Sequence, residues 1–350
     1  MKVGLFADLH LHPYARFSSV SERGLNSWVE RGLDVLERVY SECDSRSIKD
    51  VWCLGDLFHV GARLSTRMFN EVYRFFEAKQ LDGFKTILIA GNHDQLARSG
   101  DDIALFSLKS VVDSIINRPV INQLCGRPIL FLPYTEDYML LQELLKQLQA
   151  MIVEDNQKLI VGHLAVEGAR VGRHEYQPKE GCHLGLLEVA DLVLLGHYHK
   201  RQILSKQVQY IGSVMATSFS DANEDKGFTI LDTVDVTTEF VPIESIGFSV
   251  FEDNELQSSL IARGGYTGRI VRVDYSSELN ESETRQLMLE RGATAVIFNR
   301  QTVKQVEQRV TDPDTDLDSC IQEYVDRNDD GLDSNRLVSL GRELVKETSR

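Results

Sequence analysis

Gly91-Asn92-His93-Asp94 would bring an amide, an imidazole and a carboxylate to one loop tip. The tetrapeptide follows the apolar residues 86–90, which read as a buried strand. Four more motifs of the same composition occur along the chain. Asp8-Leu9-His10 follows residues 2–7, and Gly55-Asp56-Leu57-Phe58-His59 follows residues 51–54. Gly162-His163 follows residues 159–161, and Gly196-His197-Tyr198-His199 follows residues 192–195. One such motif recurs by chance. Five in one chain, parked at strand ends, point to metal coordination.

Asp8, His10, Asp56, Asn92, His163, His197 and His199 offer oxygen and nitrogen donors without cysteine. That set suits two divalent cations, manganese, iron or zinc rather than magnesium or calcium. Asp56 is the expected bridge, since a carboxylate has an oxygen for each ion. Two ions about 3.5–4 Å apart activate a water and hold the non-bridging oxygens of a phosphate. The leaving oxygen then needs a proton. His93 is expected to supply it, with Asp94 orienting its ring. His12, His174 and His183 fall outside the motifs and read as ordinary surface or core residues.

These loops need strands to carry them. Residues 1–235 alternate apolar strands with helical stretches, then add two or three strands without helices between them. Helices are expected after residue 21 (Ser21 as N-cap), over the run holding Met68, Phe69, Val72, Phe75 and Phe76, near 102–116, and near 136–153. A β-α-β start with an antiparallel finish suggests two packed sheets with helices outside. Residues 268–275, a helix capped by Ser282 and residues 294–298 form a small separate βαβ-like unit. The last 40 residues carry 11 acidic and 5 basic side chains, with helical spacing over Leu317–Val325 and Leu337–Val345. They are either a tail folded on its own domain or a helical hook for a partner. Asp326, Asn328, Asp330 and Gly331 imitate a calcium loop, but Leu337 stands where that loop needs a bidentate Glu. A turn is expected there.

The 350-residue chain is 42% hydrophobic and 26% charged, as a globular protein is, and has no apolar run long enough for a membrane span. Its five scattered cysteines (43, 53, 125, 182 and 320) suggest a reducing cytoplasm and incidental thiols. A net charge of −15 argues against indiscriminate nucleic-acid binding but not against a nuclease, whose bound metals reverse the local sign.

The motif order DxH, GDxxx, GNHD, GH, GHxH over residues 1–235 resembles the calcineurin-like metallophosphoesterase superfamily. The resemblance implies a four-layer αββα sandwich. One metal would be held by Asp8, His10, Asp56 and His199, and the other by Asp56, Asn92, His163 and His197. The protein-phosphatase branch has GDxxDRG at the second motif. This chain has no Arg there and carries His59 in the fifth position, which is similar to the SbcD/Mre-type nuclease subunits of DNA break repair. In that branch the His helps place the DNA backbone, a role His59 would inherit. Looser echoes are Tyr210-Ile211-Gly212-Ser213, Ser218-Phe219 and Lys226-Gly227-Phe228. The resemblance implies a nuclease domain over 1–240, a small α/β capping domain over 241–300, and a linker with a helical tail over 301–350. It further implies manganese, DNA as substrate, a homodimer, and an SMC-like coiled-coil ATPase gripped by the tail. The competing expectations are a small-substrate phosphodiesterase or phosphomonoesterase on the same fold, and a scaffold without metals.

Overall fold

Successive residues of a strand face opposite sides, and here both sides are apolar. In β1 (Lys2–Phe6) and β2 (Asp50–Leu54), Val3, Leu5, Trp52 and Leu54 point one way, and Phe6, Val51 and Cys53 the other. Such strands require cover on both faces. The computed structural model supplies it. It describes residues 1–14, 16–61, 63–96, 102–124, 127–151, 157–245, 247–252, 266–276, 278–301, 325 and 336–340.

The first sheet adds β3 (Lys85–Ile89), β4 (Ser114–Ile116), β11 (Gly227–Asp232) and β12 (Thr237–Pro242), in the order β12-β11-β1-β2-β3-β4. The second holds β5 (Val120–Leu124), β6 (Arg127–Leu132), β7 (Leu159–His163), β8 (Leu192–Gly196), β9 (Gln202–Ile203) and β10 (Val208–Tyr210), in the order β5-β6-β7-β8-β10-β9. β1, β2, β3 and β4 run parallel, as do β6, β7, β8 and β10. β11 and β12 return antiparallel.

Between the sheets lie Val3, Leu5, Trp52 and Ile89 from one side and Ile129, Phe131, Val161 and Leu194 from the other. Helices α1 (Ser27–Ser45) and α2 (Thr66–Leu81) cover the first sheet. α3 (Tyr138–Ala150) and α4 (Leu184–Leu187) cover the second. This is the expected αββα order. α1 buries Trp28, Val29, Val35, Leu36, Val39 and Tyr40 at helical spacing, each worth about 1.5–3 kcal/mol.

A third sheet, β13 (Phe248–Glu252), β14 (Ile270–Tyr275) and β15 (Ala295–Arg300), has α5 (Glu281–Glu290) between its last two strands. It is the small βαβ-like unit expected from the sequence, with β13 added. Phe248 packs on Trp28 and Phe219. The chain divides into compact units Met1–Asn299 and Arg300–Arg350. Of the tail, Val325 and residues 336–340 are helical. The rest of the hook expected there, the calcium-like stretch at 326–335, Cys125 and Cys320 lie outside the described residues. Cys43, Cys53 and Cys182 are buried free thiols.

Several local expectations are corrected. Asn26, not Ser21, caps α1: its side chain accepts from Trp28 N at 2.9 Å, while the Ser21 hydroxyl donates to Glu30. Asn280 rather than Ser282 caps α5. The helix expected near 102–116 is a 3-10 turn over Ala104–Leu108 followed by β4. The β-branched Ile115 and Ile116 suit a strand, and β4 pairs with the open edge of β3.

Candidate metal centre

The site lies at the carboxyl ends of the parallel strands, where open α/β sheets leave a crevice. Asp8 and His10 follow β1, Asp56 follows β2, and Asn92 and His93 follow β3. His163 ends β7, and His197 and His199 follow β8. Backbone bonds tie the loops together: Asp8 N donates to Gly55 O and His10 N to Asp56 O, each at 3.0 Å. His197 N donates to both oxygens of Asp8 at 3.1 Å, and His93 N to Asp56 Oδ1 at 2.8 Å. Asp8, His10, Asp56 and His197 all have positive φ, between 50° and 105°. Non-glycine residues rarely adopt that conformation.

Glycine is required at two points. Gly55 has φ +93°, and a Cβ there would strike the His163 ring. A Cβ on Gly91 would strike the Asp56 carboxylate. Both glycines leave room for a ligand rather than merely turning the chain.

All seven expected ligand side chains converge. His163 donates Nδ1–H to Leu54 O at 2.8 Å, which leaves Nε2 facing Asn92 Oδ1 at 3.1 Å and Asp56 Oδ2 at 3.3 Å. His197 Nδ1 lies 3.0 Å from the same Asn92 oxygen. Across Asp56, His10 Nε2 stands 3.0 Å from His199 Nε2, 3.6 Å from Asp56 Oδ2 and 4.0 Å from Asp8 Oδ1. Buried ligand atoms thus face one another in two groups that meet at Asp56. The ligand atoms of Asp8, His10 and His199, and those of Asp8, Asp56 and His163, lie close enough to hold a cation. Mixed N and O donors of this kind fit first-row transition ions.

The electrostatics divide the histidines. Burial, reinforced by neighbouring imidazoles, pushes His10 down to about 2 and His197 down to about 3, so both are neutral. Burial would also lower His163, but the Asp56 and Asp8 carboxylates outweigh it and raise it to about 9. Burial raises Asp8. It opposes ionisation of Asp56 too, yet His163 and His10 hold that carboxyl below the usual range.

His93 and His59 form the rim. His93 Nδ1–H donates to His59 O at 2.6 Å, leaving Nε2 free of that bond. The ring of His59 stacks between His93 (centroids 5.2 Å, 19°) and His12 (4.3 Å, 29°). Burial and those imidazoles push His59 down to about 4.

Two readings of single residues change. Asp94 does not orient His93. It is fully buried and accepts Asp56 N at 2.9 Å, Gly91 N at 3.0 Å and Phe58 N at 3.0 Å. The carboxylate is turned inward to clamp the loops after β2 and β3. His12 is not an ordinary surface or core residue, because it braces His59 and bonds His10 O through Nδ1 at 2.7 Å. Its spacing in Asp8-Leu9-His10-Leu11-His12 was the available signal. Tyr134, beside His197 at 5.6 Å, and Asp221, behind His199, had none. His183 caps α4, accepting from Gly185 N.

Residues 1–201 match the calcineurin-like phosphoesterase family profile. The chain belongs to that family, a class of metallophosphoesterases, and its residues fit the two-cation site. Over 114 residues it is 29% identical to the SbcD component of nuclease SbcCD of Staphylococcus epidermidis. That stretch is 30% of this chain and 30% of the relative, so less than a third of the curated relative's length is spanned. Two solved structures are similar at low identity. A novel archaeal phosphodiesterase has 12% identity and a TM-score of 0.35, over 69% of this chain and all of that one. A dimetal phosphatase from Danio rerio has 15% and 0.36, over 66% of this chain and 91% of that one. Among the described residues no helix is long and apolar enough to cross a membrane.

Proposed function

We propose that this chain is the nuclease subunit of a DNA break-repair and recombination complex, cleaving phosphodiester bonds as an exonuclease and endonuclease with two manganese ions. The observation that carries the reading is the rim. His59, where the phosphatase branch has no histidine, stacks against His93 at the edge of the two ligand groups. The similarity to the SbcD component of nuclease SbcCD supports it.

In this reading Asp8, His10, Asp56 and His199 hold one ion, and Asp56, Asn92, His163 and His197 the other. When bound, the ions activate a water and neutralise the phosphate oxygens. The protein does the rest. The Leu54 carbonyl fixes the His163 tautomer with Nε2 toward the site. The His59 carbonyl holds Nδ1–H of His93, so that Nε2 is the atom that hands a proton to the leaving oxygen. The His59 ring, held by His12, sets where the DNA backbone lies. The tail grips an SMC-like coiled-coil ATPase, and the phosphoesterase domains pair through their helices as a homodimer. Deleting residues 311–350 should then release the ATPase and leave the metal site intact.

The test is cleavage by the purified chain of linear duplex DNA, circular single-stranded DNA and bis-p-nitrophenyl phosphate, with manganese, magnesium or EDTA. Manganese-dependent DNA degradation is expected. Hydrolysis of the chromogenic ester with DNA untouched, even with the ATPase added, would favour a small-substrate phosphodiesterase instead.

A further inference from the structure

Metal-binding histidines are useful only when the right ring nitrogen carries the lone pair. For His163 the Leu54 carbonyl makes that choice. For His199 we infer that Asp221 makes it: Asp221 is a positioning residue that keeps the proton on Nδ1 and presents Nε2 to the ion shared with Asp8 and His10. The inference rests on the two-ion reading of the site and adds a residue to it.

Asp221 is 22 residues from His199 and lies in a 3-10 turn over Phe219–Asp221. It is almost fully buried. Its Oδ1 and Oδ2 lie 3.2 and 3.3 Å from His199 Nδ1. On the opposite edge of the ring, Nε2 stands 3.0 Å from Nε2 of His10. The imidazole therefore bridges Asp221 and the site.

The orientation of the carboxylate is itself fixed. Oδ2 accepts from Thr217 N at 2.8 Å, Thr217 Oγ1 at 2.8 Å and Ser218 N at 3.3 Å. Two of these donors are backbone amides, which cannot reverse their role. Lys226 approaches Oδ1 at 3.8 Å and donates to His199 O at 2.9 Å, so one buried ammonium holds both the carboxylate and the histidine backbone. Thr217 Oγ1 also lies 3.3 Å from His199 Nδ1.

This arrangement makes an isosteric change more damaging than a deletion. In Asp221→Asn the two backbone amides demand an oxygen at the Oδ2 position. The amide NH2 must then face His199 Nδ1. That NH2, 3.2 Å from Nδ1, competes with the oxygen left 3.3 Å away and draws the proton toward Nε2, which costs the site a lone pair. Asp221→Ala removes the orienting group without imposing the wrong tautomer. A residue needed only for packing would show the reverse order, with Asn tolerated and Ala harmful.

The experiment is manganese titration of the full chain by calorimetry, with metal content by mass spectrometry and thermal melts as folding controls. Histidine 15N shifts of the metal-free protein report the tautomer. Wild type should bind two ions, with His199 protonated on Nδ1. Asp221→Asn should weaken one site about 10- to 100-fold, leave the other unchanged and move the His199 proton to Nε2. Asp221→Ala should lose less at the same site. Thr217→Val, which keeps the carboxylate, should lose only a few-fold and guards against a misfolded Asp221 variant. Wild-type affinity at both sites in Asp221→Asn, or Ala weaker than Asn, would overturn the assignment while leaving the two-ion reading in place. A wild-type chain that binds no ion would overturn both.

Discussion

Asp94→Asn separates two roles for a residue that sits beside the expected general acid. In the structure Asp94 is a buried clamp: Oδ2 takes the amides of Asp56 and Gly91, and Oδ1 takes the amide of Phe58. Asparagine has one acceptor oxygen. It can serve the Asp56 and Gly91 pair, but its NH2 then meets the Phe58 N–H. One buried N–H is orphaned, at about 1–3 kcal/mol, and two charge-assisted bonds become neutral. We expect a total loss of about 2–4 kcal/mol, or roughly 3–7 °C in Tm for a unit of this size. Burial and the Asp56 carboxylate push Asp94 up to about 7, so the comparison belongs at pH 8, where the clamp is ionised. Because the clamp sets the backbone of Asp56, the proposed bridge between the ions, manganese affinity should fall with stability. The assays are thermal melts and metal titration, read beside turnover of a chromogenic diester. Lost turnover with unchanged Tm and unchanged metal affinity would refute the clamp and restore a role for Asp94 in the proton transfer.

Three further outcomes are expected. His93→Asn should abolish hydrolysis and leave metal content at the wild-type level, because in the proposed reading His93 hands over the proton and is not a ligand; loss of the ions would remove the acid assignment. Gly91→Ala should cost about 1–3 kcal/mol through overpacking and empty the site, because the new methyl displaces the Asp56 carboxylate; metal analysis checks it. The histidine contribution to metal-free stability should peak near pH 6.5, on top of a loss from Asp8 and Asp94, whose buried carboxyls are raised, as pH climbs above the ordinary carboxylate range. His163, raised to about 9, stabilises the fold below 6.5 and loses that contribution as pH rises through 9. His10, His59 and His197, lowered to between about 2 and 4, withdraw theirs as pH falls below 6.5. Urea melts in EDTA at pH 5, 6.5 and 9 test this, and excess manganese should flatten the alkaline side.

The strand-end motifs were legible because a parallel strand buried on both faces is a short apolar run, and its first polar residues must fall at the crevice. Asp8, Asp56, Asn92, His163 and His197 therefore came from pattern alone. Helix 102–116 failed because Leu105, Leu108, Val111 and Val112 satisfy helical spacing, while the vacant edge of β3, out of view of any local window, selects a strand. Asp94 failed because adjacency says nothing about direction: the turn after β3 sends His93 outward and Asp94 into the core. Asp221 had no local signal. It is joined to His199 only through the fold.

The backbone of the site carries information that composition lacks. Asp8, His10 and Asp56 sit near the left-handed helical region, and His197 has φ 105°. Each such non-glycine residue costs about 1–2 kcal/mol, so four of them cost on the order of 4–8 kcal/mol, comparable with the whole stability of a typical domain. Loops free to relax would shed that strain. They are prevented by the bonds that join them: Asp8 N to Gly55 O, His10 N to Asp56 O, and His197 N to the Asp8 carboxylate. The same bonds aim the side chains of Asp8, Asp56 and His197 at one point. Strain in the backbone and convergence of the donors are therefore one feature, and a substitution that relieves the first, such as glycine at Asp56, removes the second.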